Sequence, residues 1–324
     1  MTARRALKAL EAQGAIVAEP RKGYRVLARA HHPGRGCPLA LVLSADRTEW
    51  NALDRQLVDK FQAFAADQGR SVLTVSQAKA SPEEVAQQIL AARSWGALLR
   101  LSDSRLAGLL SKVSMPMLSI ESWLQGVGID AVIQDSYTGA MLAASYLAEK
   151  GHERIGWLGF AMSRHDPPIT ERYSGAVGGL AQVNRRLADD LCEFVPRHSD
   201  AQLEQAAARR LLSRPDRPTA ILALWQPLAE ALVRAAGELG LVPGRDFGMV
   251  GWCTREDYES MYRPLFGKGP VQPAVTWSLA TLVQIALARI EERRSRPDLP
   301  AINLKVPAEL RTASIVDVQK ERNS

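Results

Sequence analysis

The stretch VIQDSYTGAMLAASYLAEKGHERIGWLGF, residues Val132–Phe160, decides the fold class of this chain. Its middle part has apolar residues at helical spacing from Ser136 to Lys150, and His152 lies in the turn where that helix would end. A strand-like run, RIGWLGF, starts at Arg154. The stretch therefore predicts a helix that leads into a buried strand.

The same alternation continues on both sides of this stretch. Apolar runs of strand length start at Leu39, Ser71, Trp95, Met115, Leu191, Pro218, Asp246 and Pro273. Helical patterns cover residues 53–68, 81–92, 172–184, 202–212, 228–239 and 279–293. Repeated strand-then-helix units indicate parallel sheets covered by helices on both faces. The strands are too many for one small sheet, so we expect an α/β protein with two Rossmann-like lobes.

Length and composition are those of a globular protein. The chain has 324 residues, of which 46% are hydrophobic and 23% are charged. No apolar run is long enough for a membrane span and no secretory signal is visible, so we expect a cytoplasmic protein without a membrane partner. Cys37, Cys192 and Cys253 lie far apart, which predicts reduced thiols and no metal site.

Positive charge is concentrated at the start of the chain. Residues 1–30 hold seven basic and two acidic residues, a net charge of +5 out of +6 for the whole chain. On a helical wheel, Ala6 and Leu7 fall on one side and Arg4, Arg5 and Lys8 on the other. Such a cluster fits a polyanionic partner, although a solvated basic terminus would show the same charge.

The segment TARRALKALEAQGAIVAEPRKGYRVLA resembles the second half of a GntR-type winged-helix DNA-binding domain, with a recognition helix and a hairpin wing. The resemblance implies that DNA is contacted by seven residues of this segment: Thr2, Arg4, Arg5, Lys8, Arg21, Lys22 and Gly23. The family places two further helices before the recognition helix, and this sequence has neither. We therefore expect that the natural coding region starts further upstream.

The body of the chain resembles LacI-type regulators. Val132–Phe160 is similar to the family segment in which an Asp and a Gly open a helix that ends in Gly-His-x-x-Ile. ITERYSGAVGGL, from Ile169, is similar to the Arg-x-x-Gly helix that follows, and residues 218–252 to the next strand, helix and strand. The resemblance implies a two-lobed, periplasmic-binding-protein-like fold.

The expected domain bounds follow from these patterns. They are a partial winged-helix segment over 1–30, a linker over 31–38, a two-lobed effector-binding domain over 39–316 and a polar tail over 317–324. The N-lobe would comprise about 39–135 and 278–296, and the C-lobe about 136–277 and 297–316.

The LacI-type resemblance also implies a ligand site between the lobes. Trp50 falls where the family has an aromatic residue, and Asp135 and Arg172 match its cleft Asp and Arg, a pair suited to hydroxyls and carboxylates. Each polar residue has a structural alternative. Asp135 could cap the following helix, and Arg172 could lie on a helix surface.

Other positions depart from the family. Trp225 and Gln226 stand where relatives commonly carry Asn-Asp, and Cys253 follows Trp252 where they have an acid. Trp277 stands near a position that is often polar or basic in relatives. The tryptophans could line the site or simply belong to the core. We expect an effector that is sugar-like or aromatic, and more apolar than a simple hexose.

No signature of catalysis is present. The sequence lacks Gly-x-Ser-x-Gly, the phosphate-binding loop, His-Glu-x-x-His and Gly-x-Gly-x-x-Gly after a strand. We therefore expect no enzyme and no cofactor. The predicted function is ligand-responsive transcriptional regulation by a homodimer that binds DNA and a small-molecule effector. The alternative is a cytoplasmic small-molecule binding protein without DNA function.

Overall fold

The computed structural model describes residues 16–19, 23–26, 36–100, 104–122, 124, 127–162, 167–197 and 199–312. The strands are β1 Ile16–Glu19, β2 Gly23–Val26, β3 Leu39–Leu43, β4 Val72–Ser76, β5 Gly96–Arg100, β6 Met117–Ile120, β7 Asp130–Gln134, β8 Ile155–Phe160, β9 Cys192–Val195, β10 Ala220–Leu222, β11 Gly248–Thr254, β12 Ala274–Trp277, β13 Asn303–Val306 and β14 Glu309–Arg311. The α-helices of more than one turn are α1 Ala52–Asp67, α2 Pro82–Ala91, α3 Ser104–Ser111, α4 Ser136–Glu149, α5 Pro167–Ala181, α6 Ala201–Leu212, α7 Gln226–Glu238 and α8 Leu279–Ser295.

The chain forms two compact units and passes between them three times. Unit 1 ends at Val132 and resumes from Val283 to Leu304, and unit 2 runs from Ile133 to Leu282 and resumes at Lys305. The first two passages lie within a few residues of the expected ones. The third was expected at 296/297, but it comes after residue 304 because β13 adds to the unit 1 sheet.

Unit 1 is built around a six-stranded sheet in the order β13-β7-β6-β5-β3-β4. The pairs from β7 through β4 are parallel. All five residues of β3 and of β5 are buried, as expected of strands covered on both faces. Helix α1 starts with a capping box between Asn51 and Asp54, and α2 starts with one between Ser81 and Glu84.

Unit 2 repeats this construction in the order β14-β12-β11-β10-β8-β9. The pairs from β12 through β9 are parallel, and among the described pairs of this sheet only the edge strand β14 is antiparallel to its neighbour. Helices α4 and α5 pack backbone to backbone. A Cβ at Gly175 would lie 2.2 Å from the Tyr137 carbonyl oxygen, so only glycine permits this approach.

The predicted α/β class with two parallel sheets is confirmed, and several elements differ from the sequence prediction. Strands β7, β13 and β14 were not predicted, nor was helix α3. Helix α5 begins at Pro167 instead of residue 172, because proline is favoured in the first turn of a helix.

At the start of the chain, β1 and β2 pair as an antiparallel hairpin with Glu19 opposite Gly23. Gly23 has φ +98°, a left-handed conformation that favours glycine. The other residues predicted to contact DNA lie outside the described residues: Thr2, Arg4, Arg5, Lys8, Arg21 and Lys22. The assignment of the hairpin as a wing therefore stays a prediction.

Within the described ranges, no helix has both the length and the apolar character needed to cross a membrane.

A buried ion pair ties the last turns of α8 to the unit 1 sheet. Asp130 is fully buried and accepts hydrogen bonds from Arg289 Nη2 at 3.0 Å, Arg293 Nε at 2.9 Å and the Ile302 amide at 2.9 Å. Burial alone would raise the pKa of Asp130, but these hydrogen bonds and the charge of Arg293 outweigh it and lower the pKa below 3.8. The carboxylate is thus charged in the folded state at neutral pH.

We predict that Asp130→Ala lowers the free energy of unfolding at pH 7 by about 3–5 kcal/mol, because two largely buried guanidinium groups lose their carboxylate. Urea unfolding measures this loss, and Asp298→Ala is the control because Asp298 is exposed. A loss below about 1 kcal/mol, the size typical of an exposed ion pair, would contradict the prediction.

The same pair predicts a pH dependence. A carboxyl whose pKa is lower in the folded state stabilises the protein above its unfolded pKa, and this stabilisation is lost as the pH falls through the folded pKa. The difference in unfolding free energy between the unmutated protein and Asp130→Asn should therefore shrink from pH 7 to pH 3. An unchanged difference would show that Asp130 titrates alike in both states.

Candidate functional site

Several predicted ligand residues of unit 2 lie at the carboxyl ends of strands. Asp135 follows β7, Trp225 lies three residues after β10, Cys253 is the penultimate residue of β11, and Trp277 ends β12. In open α/β sheets, ligands bind beside the carboxyl ends of the parallel strands. The fold therefore places Trp225, Cys253 and Trp277 at the edge of the unit 2 sheet where a ligand site is expected, whereas Asp135 follows a strand of the unit 1 sheet.

Arg172, on α5, is the central charged group of this edge. It is only 3% exposed, so the alternative of a surface helix residue is wrong. Its Nη2 donates to Gln134 Oε1 at 2.7 Å, and its Nη1 donates to the Leu224 carbonyl. The guanidinium carbon lies 4.0 Å from the Trp252 ring centroid and 4.5 Å from that of Trp225. Two tryptophans and a strand residue therefore hold this cation in place.

Gln134 contacts Arg172 but was not among the ligand residues predicted from the sequence. It is the last residue of β7, it is buried, and its Oε1 also accepts from Trp252 Nε1 at 2.8 Å. One side-chain oxygen thus joins the arginine and the tryptophan. The available signal was a polar residue at the end of a buried apolar run, where a hydrogen-bonding role is expected.

Asp135 caps helix α4, as the structural alternative proposed, and it also belongs to a charged cluster. Its Oδ1 accepts from the Thr138 amide at 3.3 Å and from Lys305 Nζ at 3.3 Å. Lys305 also lies 3.4 Å from Glu171 Oε1. Burial raises the pKa of Glu171, and the charge of Lys305 opposes this rise only in part. Sequence reasoning missed Glu171 and Lys305, the latter because it is distant in sequence.

The tryptophans differ in exposure. Trp252 and Trp277 are 3% and 2% exposed, which matches the core alternative, whereas Trp225 is half-buried. A Cβ at Gly139 would lie 2.6 Å from Trp252 Cη2, so this glycine makes room for the indole. Trp225 also makes an edge contact with Phe160, with ring centroids 5.3 Å apart.

The remaining predicted ligand residues have local roles in the structure. Gln226 is the first residue of α7, and its Nε2 lies 3.3 Å from Glu230 Oε1. Cys253 is buried, and burial raises the pKa of its thiol to about 12. Trp50 belongs to unit 1, where its indole N–H donates to the Ala45 carbonyl oxygen at 3.1 Å.

No group of three or more His, Cys, Asp or Glu side chains in the described part of the chain is arranged to hold a metal ion.

A family model described as periplasmic binding protein-like domain matches residues 144–312, more than half of the chain. The chain belongs to the periplasmic binding protein-like domain family. The matched segment runs from α4 to the end of β14 and therefore includes Arg172, Trp225 and Trp252. The resemblance of the body of the chain to LacI-type regulators is confirmed by this match and by the relatives described next.

The curated relatives that this chain resembles include transcriptional repressors. The chain is 25% identical over 184 residues to the HTH-type transcriptional repressor PurR of Mannheimia succiniciproducens, covering 56% of the chain and 51% of the relative. It is 32% identical over 128 residues to PurR of Escherichia coli, covering 38% of the chain and 35% of the relative. The chain therefore spans about half or less of the length of these relatives.

Solved structures show the same fold. A transcriptional regulator CelR–cellobiose complex superposes with a TM-score of 0.72 at 18% identity, covering 95% of this chain and 89% of that one. The Escherichia coli transcriptional repressor ascG superposes with a TM-score of 0.69 at 20% identity, covering 87% and 99%. At these identities the likeness is one of fold.

We predict that Gln134→Leu lowers the free energy of unfolding by about 2–4 kcal/mol, because Arg172 and Trp252 each lose the acceptor for a buried N–H. Urea unfolding followed by tryptophan fluorescence measures the loss. Gln182→Leu is the matched control, since Gln182 is exposed. Equal effects of the two substitutions would contradict the role given to Gln134.

Proposed function

We propose that this protein is a ligand-responsive, DNA-binding transcriptional regulator whose family domain senses a small-molecule effector. The observation that carries the proposal is Arg172, which is buried between Trp225 and Trp252 at the carboxyl edge of the unit 2 sheet. The match to the periplasmic binding protein-like family and the similarity to curated repressors support it. The alternative of a binding protein without DNA function is not favoured by this similarity.

The polar groups beside Arg172 fit a hydroxylated effector. Asp135 and Glu171 offer carboxylate oxygens, and Lys305 offers an ammonium donor. Their side chains are partly accessible, at 21%, 20% and 42% exposure, so a ligand can reach them. Acceptors and a donor in one cluster match the hydroxyl groups of a sugar, which both donate and accept hydrogen bonds.

The aromatic groups extend this proposal to a ligand with an apolar face. Trp225 is the half-buried ring beside Arg172, and a planar or sugar ring can stack on such a surface. Trp252 and Trp277 would support the site from below the surface, and Gln226, Cys253 and Trp50 remain proposed ligand residues by family resemblance alone. We propose a sugar-like or aromatic effector.

The DNA-binding half of the proposal rests on the start of the chain. Its basic segment resembles a GntR-type recognition helix and wing, and β1 and β2 form an antiparallel hairpin at the expected place. A homodimer would present two such heads to DNA. An effector that binds one conformation of the sensor domain more tightly would raise the population of that conformation. The affinity for DNA would then change, because the two conformations would bind DNA with different affinities.

We predict that a sugar-like or aromatic glycoside raises the melting temperature of the protein, and that Asp135→Asn weakens binding of that compound about tenfold. Asparagine still caps a helix, so the variant loses the charge while keeping the cap. A thermal-shift panel of monosaccharides and aryl glycosides, followed by calorimetry on the best compound, makes the measurement.

Asp298→Asn is the control for Asp135→Asn, because it removes an exposed carboxylate elsewhere. Unchanged affinity in Asp135→Asn would remove Asp135 from the site. Stabilisation by a plain hexose alone would count against an effector with an apolar face.

We predict that the protein binds DNA from the region upstream of its own gene, and that binding weakens as salt increases. A mobility-shift assay with and without the effector tests the prediction. Arg4→Ala combined with Arg5→Ala should abolish the shift. Failure of the unmutated protein to bind would remove the main support for regulation.

A further inference from the structure

Unit 2 contains a cavity at the opposite edge of its sheet from Arg172. It has a volume of about 430 Å³ and lies where β8, β10, β11 and β12 begin, beside the end of α4. Its polar lining residues are Tyr146, Lys150, His152, Thr219, Arg245, Asp246 and Gln272. A cavity of this size is large enough for a ligand of monosaccharide dimensions.

Lys150 provides the net charge of this cavity. It is exposed, and its Nζ lies 5.5 Å from the Tyr146 ring centroid. Arg245 is paired with Asp246 at 2.8 Å, so these two charges offset each other. Asp246 is further engaged by the Val242 amide at 2.7 Å. One ammonium group is thereby left to attract an anion.

Gln272 lines the cavity and has a free acceptor. It is 6% exposed, and its Nε2 donates to the Pro270 carbonyl oxygen at 2.9 Å. Throughout the described ranges no donor bonds to its Oε1. An amide oxygen without a donor in the protein is free to accept a hydrogen bond from a ligand hydroxyl.

His152 provides a second acceptor. Its Nδ1 lies 3.2 Å from Thr219 Oγ1, and that hydroxyl donates to the Arg154 carbonyl oxygen, which assigns the imidazole proton to Nδ1 and a lone pair to Nε2. Burial lowers the pKa of His152, so the ring is neutral at pH 7.5. A Cβ at Gly248 would lie 2.9 Å from His152 Nε2, so this glycine leaves room for the ring.

We propose that this cavity is a second ligand site, which binds a small hydroxylated anion. The acid group would pair with Lys150, and hydroxyls would donate to Gln272 Oε1 and His152 Nε2. Sugar acids and sugar phosphates share this chemistry. The site is separate from the proposed effector site, so the proposal holds or fails independently of it.

The test is a calorimetric titration of the full chain at pH 7.5 with five probes of three kinds. Gluconate and glucose 6-phosphate carry both charge and hydroxyls, glucose carries hydroxyls alone, and acetate and inorganic phosphate carry charge alone. We expect gluconate or glucose 6-phosphate to bind more tightly than glucose and the simple anions. The comparison of these two also decides between a carboxylate and a phosphate.

Location is established by NMR and by a charge variant. The Hε1 resonance of His152, assigned by its loss in His152→Gln, should shift saturably with the binding probe. Lys150→Gln should weaken binding about fivefold, the loss of one partly exposed charge-assisted contact. Lys268→Gln is the control, because it removes an exposed ammonium elsewhere in unit 2.

Three results would overturn the proposal. They are an unmoved His152 signal, equal binding of glucose or of the simple anions, and equal effects of Lys150→Gln and Lys268→Gln.

Discussion

The buried guanidinium of Arg172 is the constraint around which the functional edge of unit 2 is arranged. A charge in the interior is stable only when it is hydrogen-bonded and surrounded by groups that favour it. Gln134, the Leu224 carbonyl, Trp225 and Trp252 meet this demand together. Gln134, Leu224 with Trp225, and Trp252 come from three stretches of unit 2 that are far apart in sequence, so the cation links these stretches.

The sequence was sufficient for the fold because parallel strands covered on both faces are continuous apolar runs, and β3 and β8 have this form. It was insufficient for β13 and β14, since edge strands with exposed residues lack that signal. Strand β7 was missed because Asp130 and Gln134 at its two ends leave an apolar run of only three residues, although both are buried and hydrogen-bonded to side chains from distant parts of the sequence.

In the candidate site, too, the sequence predicted some residues, but it did not predict their long-range contacts. Asp135 and Arg172 were found through family resemblance, and the structure gives each of them partners that no sequence spacing contains. Lys305 lies far along the chain from Asp135, yet it bridges Asp135 and Glu171 because the chain returns to unit 2 at that residue. Long-range contacts of this kind depend on where the chain crosses from one unit to the other. The hydrophobic pattern of the sequence predicts these crossing points only to within several residues.

The solvent exchange rate of the Trp252 indole proton, measured by NMR on the ligand-free protein, tests most directly whether Gln134 and Trp252 hold the buried guanidinium of Arg172. A proton donated to a buried Gln134 oxygen beneath a buried guanidinium should exchange slowly, and more slowly than the Trp50 indole proton, which belongs to a half-buried side chain. Exchange of the Trp252 proton as fast as that of an indole in an unfolded chain would contradict the account.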